Sequence, residues 1–391
     1  MRRIDVTSGS PREIAVWEDG KLCEYLIDDE QASAADTVIL GRVVRVVNSM
    51  QAAFVDIGQE KNGFLPLKEK SGTFAAQPLR EGDRIAVQIK REAHEQKGAF
   101  LSRDITLCGT HVILMPLNRY VGVSSRIESD EMKEELRAFG RDLAQGRFGL
   151  VMRASCPAAS PESVEEEVAE LCRKWDEVQK AIIASPAPSV VYRPGTALDA
   201  VLRDYAPRGI DEIVTDDAAL AKALAGTYPV TERTPIIEDI HAQRDKALSR
   251  FVWLKSGGSL VIDHCEAMTV IDVNSGKFTG KRQLDDTLLA INLEACGEIA
   301  RQLRLRAVGG VVVIDFIDMK SDSDREKVRA ALESALANDR VKTVVHGFTS
   351  LGLVEMTRKR TRSSLRETMT VPCSQCRGNG VRPADKEDMH G

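Results

Sequence analysis

Two runs of β-branched residues constrain this chain more than any other feature. MTVIDVNSG at 268–276 and GGVVVIDFIDM at 309–319 each carry an apolar stretch that closes on an aspartate, and a helical pattern runs between them from about 285 to 306. Strand, helix and strand in succession imply an α/β layer. A fully apolar run such as VVVI predicts a strand buried on both faces. An acid that closes such a strand falls at the sheet edge, where ligands bind in open α/β folds.

Paired carboxylates suit magnesium, which keeps most of its waters and takes few ligands from protein. Such an ion polarises a phosphodiester and lowers the pKa of a coordinated water, so Asp272 and Asp315 are candidate metal ligands for phosphate chemistry. Asn274 stands two residues past Asp272 and shares its face of an extended chain, placed to orient a ligand or the phosphate. Asp263, Asp318 and Glu294 compete for these roles. Asp318, three residues past Asp315, would face the opposite side if the strand continued. Capping and ion pairing are the other uses of such acids.

The 391 residues, 43% hydrophobic and 29% charged, suffice for two or more packed cores and are too polar for a membrane protein. No apolar run has signal-peptide or membrane-spanning length, which predicts a cytoplasmic protein. A net charge of -5 weighs mildly against a nucleic-acid binder, but local clustering overrides an average. Arg358, Lys359, Arg360, Arg362 and Arg366 form one basic run, and Arg301, Arg304 and Arg306 another; such runs are more often solvated faces than phosphate contacts. Six cysteines (Cys23, Cys108, Cys156, Cys172, Cys265, Cys296) stand singly in apolar or helical patterns, as buried reduced thiols do.

Along the chain, residues 13 to 27 read as a hairpin turning at Asp19-Gly20, too small to fold alone and so expected to join a sheet built from later residues. From 36 to 109 come five short strands with glycine-bearing turns, the texture of a small OB-type barrel. Such barrels stack single-stranded bases on exposed aromatics beside a basic groove, and Phe54, Phe64, Arg91 and Lys97 are candidates; the competing reading places both phenylalanines in the barrel core. Ser160-Pro161 opens a long helix whose apolar stripe, Val164 to Ile182, is core. After SPAPS at 185–189, strands and helices alternate, beginning with SVVYR, and a helix is expected to end at Gly257-Gly258. No internal repeat occurs, and only the last ten or so residues have the composition of a disordered tail.

Cys373 and Cys376 form the one pair at metal-ligand spacing, in PCSQCRGNG. Structural zinc takes four ligands and this pair supplies two, so either two chains share a zinc or the pair is a redox dithiol. The glycines that follow would end a helix rather than open one, which favours shared zinc and a homodimer.

IDVNSG at 271–276, NLEACGEIARQLRLR at 292–306, GGVVVIDFIDM, GLVEMTRKR at 352–360 and PCSQCRGNG together resemble the ribonuclease E/G family in order and spacing, as does QAAFVDIGQEKNGFLPL. The resemblance implies a multidomain α/β protein. An RNase H-like domain (1–35 and 186–248) is interrupted by an OB-type barrel (36–109) and a 5′-sensor domain (110–185). A DNase I-like catalytic domain (249–369), a zinc-link (370–382) and a tail (383–391) follow. By motif, Asp272 and Asp315 match magnesium ligands and Asn274 the asparagine that assists them. Cys373 and Cys376 match zinc-link ligands, and Phe54, Phe64 and Lys97 the RNA-contacting face of the barrel.

The 5′-phosphate sensor matches Arg153 and Lys342, with two departures. Ala154 stands where the pattern has a threonine, and Lys342 where it has an arginine that offers a bidentate fork. The implied activity is magnesium-dependent endonucleolytic cleavage of single-stranded, A/U-rich RNA, leaving 5′-phosphate and 3′-hydroxyl ends. The chain ends soon after the zinc-link, which predicts a dimer rather than a tetramer and no degradosome scaffold region. A non-catalytic RNA-binding protein on the same fold and a phosphodiesterase acting on DNA are the rival expectations.

Overall fold

The computed structural model describes residues 1–28, 35–67, 78–93, 97–276, 284–374 and 376. The expected tail at 383–391 and the glycines after Cys376 lie outside them. The chain divides into two compact units, Met1–Lys21 with Leu26–Pro235, and Leu22–Tyr25 with Ile236–Gly391.

In chain order, the strands begin with β1 (Arg2–Val6), β2 (Arg12–Glu18) and β3 (Lys21–Asp28). The barrel strands follow: β4 (Val38–Val47), β5 (Ala52–Asp56), β6 (Gly63–Pro66), β7 (Arg84–Arg91) and β8 (Phe100–Ser102). Next come β9 (Leu107–Cys108), β10 (Val112–Met115), β11 (Val121–Val123), α1 (Asp130–Ala144), β12 (Gly149–Met152) and α2 (Pro161–Ala184). After β13 (Ser189–Tyr192), helices and strands alternate: α3 (Ala197–Tyr205), β14 (Glu212–Thr215), α4 (Ala218–Leu224), β15 (Val230–Glu232) and α5 (Ile237–Lys246). The C-terminal half adds β16 (Phe251–Trp253), β17 (Ser259–His264), β18 (Met268–Asn274), α6 (Leu284–Leu305), β19 (Gly310–Asp315) and α7 (Asp322–Leu336), then β20 (Thr343–Phe348), β21 (Val354–Arg358) and α8 (Leu365–Met369).

The N-terminal hairpin does join later strands, in a sheet of order β15-β14-β1-β2-β3. β1 runs antiparallel to β2 and parallel to β14. Ile4 and Val6 of β1 pack with Val201 and Tyr205 of α3. The barrel sheet has the order β13-β4-β5-β6-β8-β7 and closes through a further β4–β7 pairing. The SVVYR strand differs from expectation: it pairs antiparallel with Val38 to Leu40 of β4 and so belongs to the barrel sheet, not to the α/β layer that follows it.

A four-stranded sheet, β11-β12-β10-β9, carries α1 and α2 over a core that includes Leu114, Leu150, Val164 and Leu171. α2 starts as the sequence predicts, with Ser160 accepting from the Ser163 amide, and α1 starts in the same way, with Ser129 accepting from the Met132 amide, each satisfying a first-turn donor.

In the second unit the sheet order is β16-β17-β18-β19-β21-β20. α6 lays Ile291, Ala295, Ile299 and Leu303 on Ile271, Val273, Val312 and Ile314, with Val328 and Leu332 of α7 completing the core. Each such aliphatic side chain taken out of water contributes about 1.5–3 kcal/mol before conformational entropy is counted. Two expectations fail here. The helix expected to end at Gly257-Gly258 is the β16–β17 hairpin, where the Gly257 amide donates to the Leu254 carbonyl at 3.1 Å and Leu254 N–H to Gly258 at 2.9 Å. β19 is buried on one face only: Val312 and Ile314 meet the helices, whereas Val311 is 42% exposed and Val313 half-buried. A continuous apolar run does not reveal whether the second face is covered.

Candidate functional site

Asp272 and Asp315 are register partners on parallel neighbours, β18 and β19. Both project to the face away from α6, because the residues flanking them, Ile271 and Ile314, are fully buried among the helices. Backbones of paired strands lie about 4.8 Å apart, so the two carboxylates share one patch of the open face. Asn274 falls on that face too, and its Nδ2 donates to Asp272 Oδ2 at 2.8 Å.

Burial pushes the Asp315 carboxyl above the usual carboxylate range, and the negative charges of Asp272 and Asp318 push it further. That second contribution corrects the expectation about Asp318. β19 ends at Asp315, so strand alternation does not apply beyond it, and the Asp318 charge is felt at the site. The segment that carries it is held from α6: Asn292, fully buried, bonds both backbone groups of Ile317. Asn292 is a positioning residue that the sequence did not signal.

The other competing acids have separate tasks. Asp263 makes a two-pronged pair with Arg250 at 2.5 and 2.7 Å, and that guanidinium holds its carboxyl below the usual range. Glu294 accepts from the Lys255 and Ser256 amides at 2.6 and 3.1 Å, which stabilises the β16–β17 turn.

On the barrel, Phe54 and Phe64 face outward and are half-buried, between core neighbours such as Ala53, Val55 and Leu65. The core reading of these two is therefore wrong. Their rings meet edge to face with centroids 6.0 Å apart, and Phe64 lies 5.9 Å from Phe100, a third outward aromatic. Arg91 and Lys97 are both exposed, and the Arg91 guanidinium sits 4.4 Å from the Phe100 ring centre. Phe100 was missed because one phenylalanine in GAFLSRDI carries no periodic signal.

Arg153 follows β12, where its Nη2 donates to Asp204 at 2.7 Å and its Nη1 to the Gly109 carbonyl at 2.5 Å. Ala154 beside it is exposed. Lys342, in the second unit, is also exposed. No disulfide joins cysteines among the described residues; Cys23, Cys156 and Cys296 are buried as expected, whereas Cys265 is exposed. Cys373 is exposed and Cys376 half-buried. Among the described residues no group of three or more His, Cys, Asp and Glu is arranged to hold a metal, and no helix is long and apolar enough to cross a membrane.

The basic runs are largely structural. Arg358 is buried against Asp339, Arg301 pairs with Glu298, Arg360 pairs with Glu367, and Arg362 donates to the Tyr25 carbonyl. Lys359 and Arg366 stay exposed.

Comparison with known proteins agrees with this geometry. Residues 106–361 match the model of the ribonuclease E/G family, and residues 33–104 match the S1 RNA binding domain. The chain is 37% identical to ribonuclease G of Escherichia coli strain K12, over 97% of this chain and 83% of that protein. It is 36% identical to ribonuclease G of Haemophilus influenzae over 96% of this chain and 83% of that protein. With ribonuclease E of Escherichia coli strain K12 it shares 34% identity, over 97% of this chain but 38% of that longer protein. A mixed α/β chain with an S1-type barrel and paired strand-end aspartates, matched over nearly its whole length, belongs to the ribonuclease E/G family.

Proposed function

We propose that this chain is an endoribonuclease of RNA processing and decay that cuts single-stranded, A/U-rich RNA with magnesium and leaves 5′-phosphate and 3′-hydroxyl ends. The observation that carries the reading is the register pairing of Asp272 with Asp315 on an open sheet face, with Asn274 bonded to the first. Two hard oxygen donors, one of them raised in pKa by burial and then by the charge of the other, suit a divalent cation, so the residues fit magnesium. When bound by Asp272 and Asp315, magnesium supplies Lewis-acid stabilisation of the phosphate and an acidified water.

The chain's own groups do the rest. Asn274 fixes one oxygen of Asp272 and leaves the other to a ligand. Asn292 fixes the backbone that carries Asp318 beside Asp315. The barrel aromatics and Arg91 hold single-stranded RNA, and at the carboxylate pair water attacks phosphorus in line as the bond to the 3′ oxygen breaks.

The domain layout that goes with this reading has an RNase H-like domain at 1–35 and 186–248, with β13 assigned to the barrel. The barrel spans 36–109, a 5′-sensor domain 110–185, a DNase I-like domain 249–369 and a zinc-link 370–382. The order β15-β14-β1-β2-β3 supports the first of these. Cys373 and Cys376 supply two thiolates, so a four-ligand zinc site joins two chains into a homodimer, placed in the cytoplasm. Arg153 is already engaged by Asp204 and Gly109, Ala154 offers no hydroxyl and Lys342 no fork, so dependence on a 5′-monophosphate is weak. Monophosphate-ended and hydroxyl-ended substrates are then cut at similar rates.

The test is cleavage of an A/U-rich single-stranded RNA, and of DNA of the same sequence, by the purified chain and its Asp272→Asn and Asp315→Asn variants. Magnesium-dependent RNA cutting that disappears in both folded variants supports the reading. Tight binding without cutting sinks it in favour of a non-catalytic RNA-binding protein, and preferential cutting of DNA in favour of a DNA phosphodiesterase.

A further inference from the structure

The outward residues of the barrel form one line across five strands. Arg45 of β4 is the register partner of Phe54 of β5, Phe54 of Phe64 on β6, Phe64 of Phe100 on β8, and Phe100 of Arg91 on β7. Register partners project to the same face, so three phenylalanines lie side by side with an arginine at either end. The neighbours of Phe100, Ala99 and Leu101, are fully buried in the barrel core. A large aromatic at the outward position between them does no core packing, and leaving it half-exposed forgoes part of the free energy its burial would contribute.

Phe64 and Phe100 are tilted by only 34°, whereas Phe54 and Phe64 meet at 75°. Phe64 and Phe100 therefore turn their faces in similar directions. The Arg91 guanidinium lies over the Phe100 ring, 4.4 Å from its centroid, and a guanidinium at that distance offers a base a further stacking surface as well as its charge to a phosphate.

We infer that Phe100 and Arg91 form one composite stacking position, a third in line with Phe54 and Phe64. Phe100 holds the guanidinium, a base stacks on it, and the strand crosses the barrel from the Arg45 end to the Arg91 end. Single strands follow such a row because each unstacked base offers a π-face and no particular sequence is required. This inference rests on the reading of the barrel as the RNA-binding surface.

The experiment measures equilibrium binding of a fluorescent single-stranded oligoadenylate to the full chain in an Asp272→Asn background, so that RNA stays intact, at two salt concentrations. Phe100→Leu, Arg91→Lys, their combination and Phe64→Leu are compared. A lost stacking position weakens binding by about tenfold or more. We expect that loss in Phe100→Leu and equally in Arg91→Lys, which keeps the charge but not the plane, with the salt dependence unchanged and the double variant no weaker than either single one.

Binding by Phe100→Leu and Arg91→Lys within twofold of the parent, while Phe64→Leu loses tenfold, overturns the third position and leaves the barrel reading intact. No loss in any of the three overturns both. Should Phe100→Leu fail to fold, Arg91→Lys alone decides, since its exposed side chain does no core packing.

Discussion

Asn292 holds Ile317 by both of its backbone groups, donating from Nδ2 to the carbonyl at 2.8 Å and accepting the amide at Oδ1 at 3.1 Å. The clamp fixes the chain two residues past Asp315. Replacing Asn292 by Leu keeps the volume but leaves both backbone groups without their partner, a cost of about 2 kcal/mol. The expected kinetic result is a kcat lowered at least tenfold with little change in KM for RNA, because the barrel is untouched. An unchanged kcat in a destabilised variant would make the clamp purely structural.

Asp315 offers a test of the carboxylate pair that needs no activity. Its carboxyl is raised first by burial and then by the charges of Asp272 and Asp318. Asp272→Asn removes one of those charges, so Asp315 should titrate at lower pH than in the parent while staying above its ordinary value. Carboxyl carbon NMR in metal-free buffer reads this directly. An unmoved titration would mean that the two side chains do not sense each other.

The Asp339–Arg358 pair predicts a large stability effect. Asp339 is fully buried and Arg358 is 5% exposed, with contacts at 2.6 and 3.1 Å and a further bond to the Val308 carbonyl at 2.7 Å. Arg358→Met strands the carboxylate without its partner, which costs about 3–5 kcal/mol. Urea unfolding should show the midpoint falling sharply in Arg358→Met, and only partly recovering in the double variant with Asp339→Asn.

His264 makes stability depend on pH. Burial pushes its imidazole below the ordinary value of 6.5, the charges of Arg306 and Arg366 add to this, and Glu367 and Asp263 oppose it. The unfolded chain then binds the proton more readily than the folded one, so stability rises with pH across this window. The contribution is complete above about 6.5 and is lost as pH falls from there through the lowered folded value. Thermal midpoints at pH 7.5 and pH 5.5 should separate more in the parent than in His264→Asn.

The paired aspartates were legible because each closes a short apolar run, and Asn274 because strand alternation repeats every second residue. Both signals are local. Register is not: Phe100 joins Phe54 and Phe64 through pairings that span 36 residues of chain between Phe64 and Phe100, and GAFLSRDI alone gives no hint of them. The burial of Arg358 within its basic run was hidden for a similar reason, since Asp339, which buries it, stands nineteen positions earlier. β19 was read as covered on both sides because an apolar run reports what a strand tolerates, not how many helices arrive to pack on it.

The pairing of β1 with β14 has a consequence for how the molecule is made. β1 is the middle strand of its sheet, and one of its two edges waits for Glu212 to Thr215, which are made much later. All six strands of the barrel sheet and the four-stranded sheet with its two helices are synthesised in that interval and can close locally before β1 has its second neighbour. β1 is thus completed only after a long stretch of later chain has been made. Until then the bare edge of β1 is the stretch that most needs shielding from other chains.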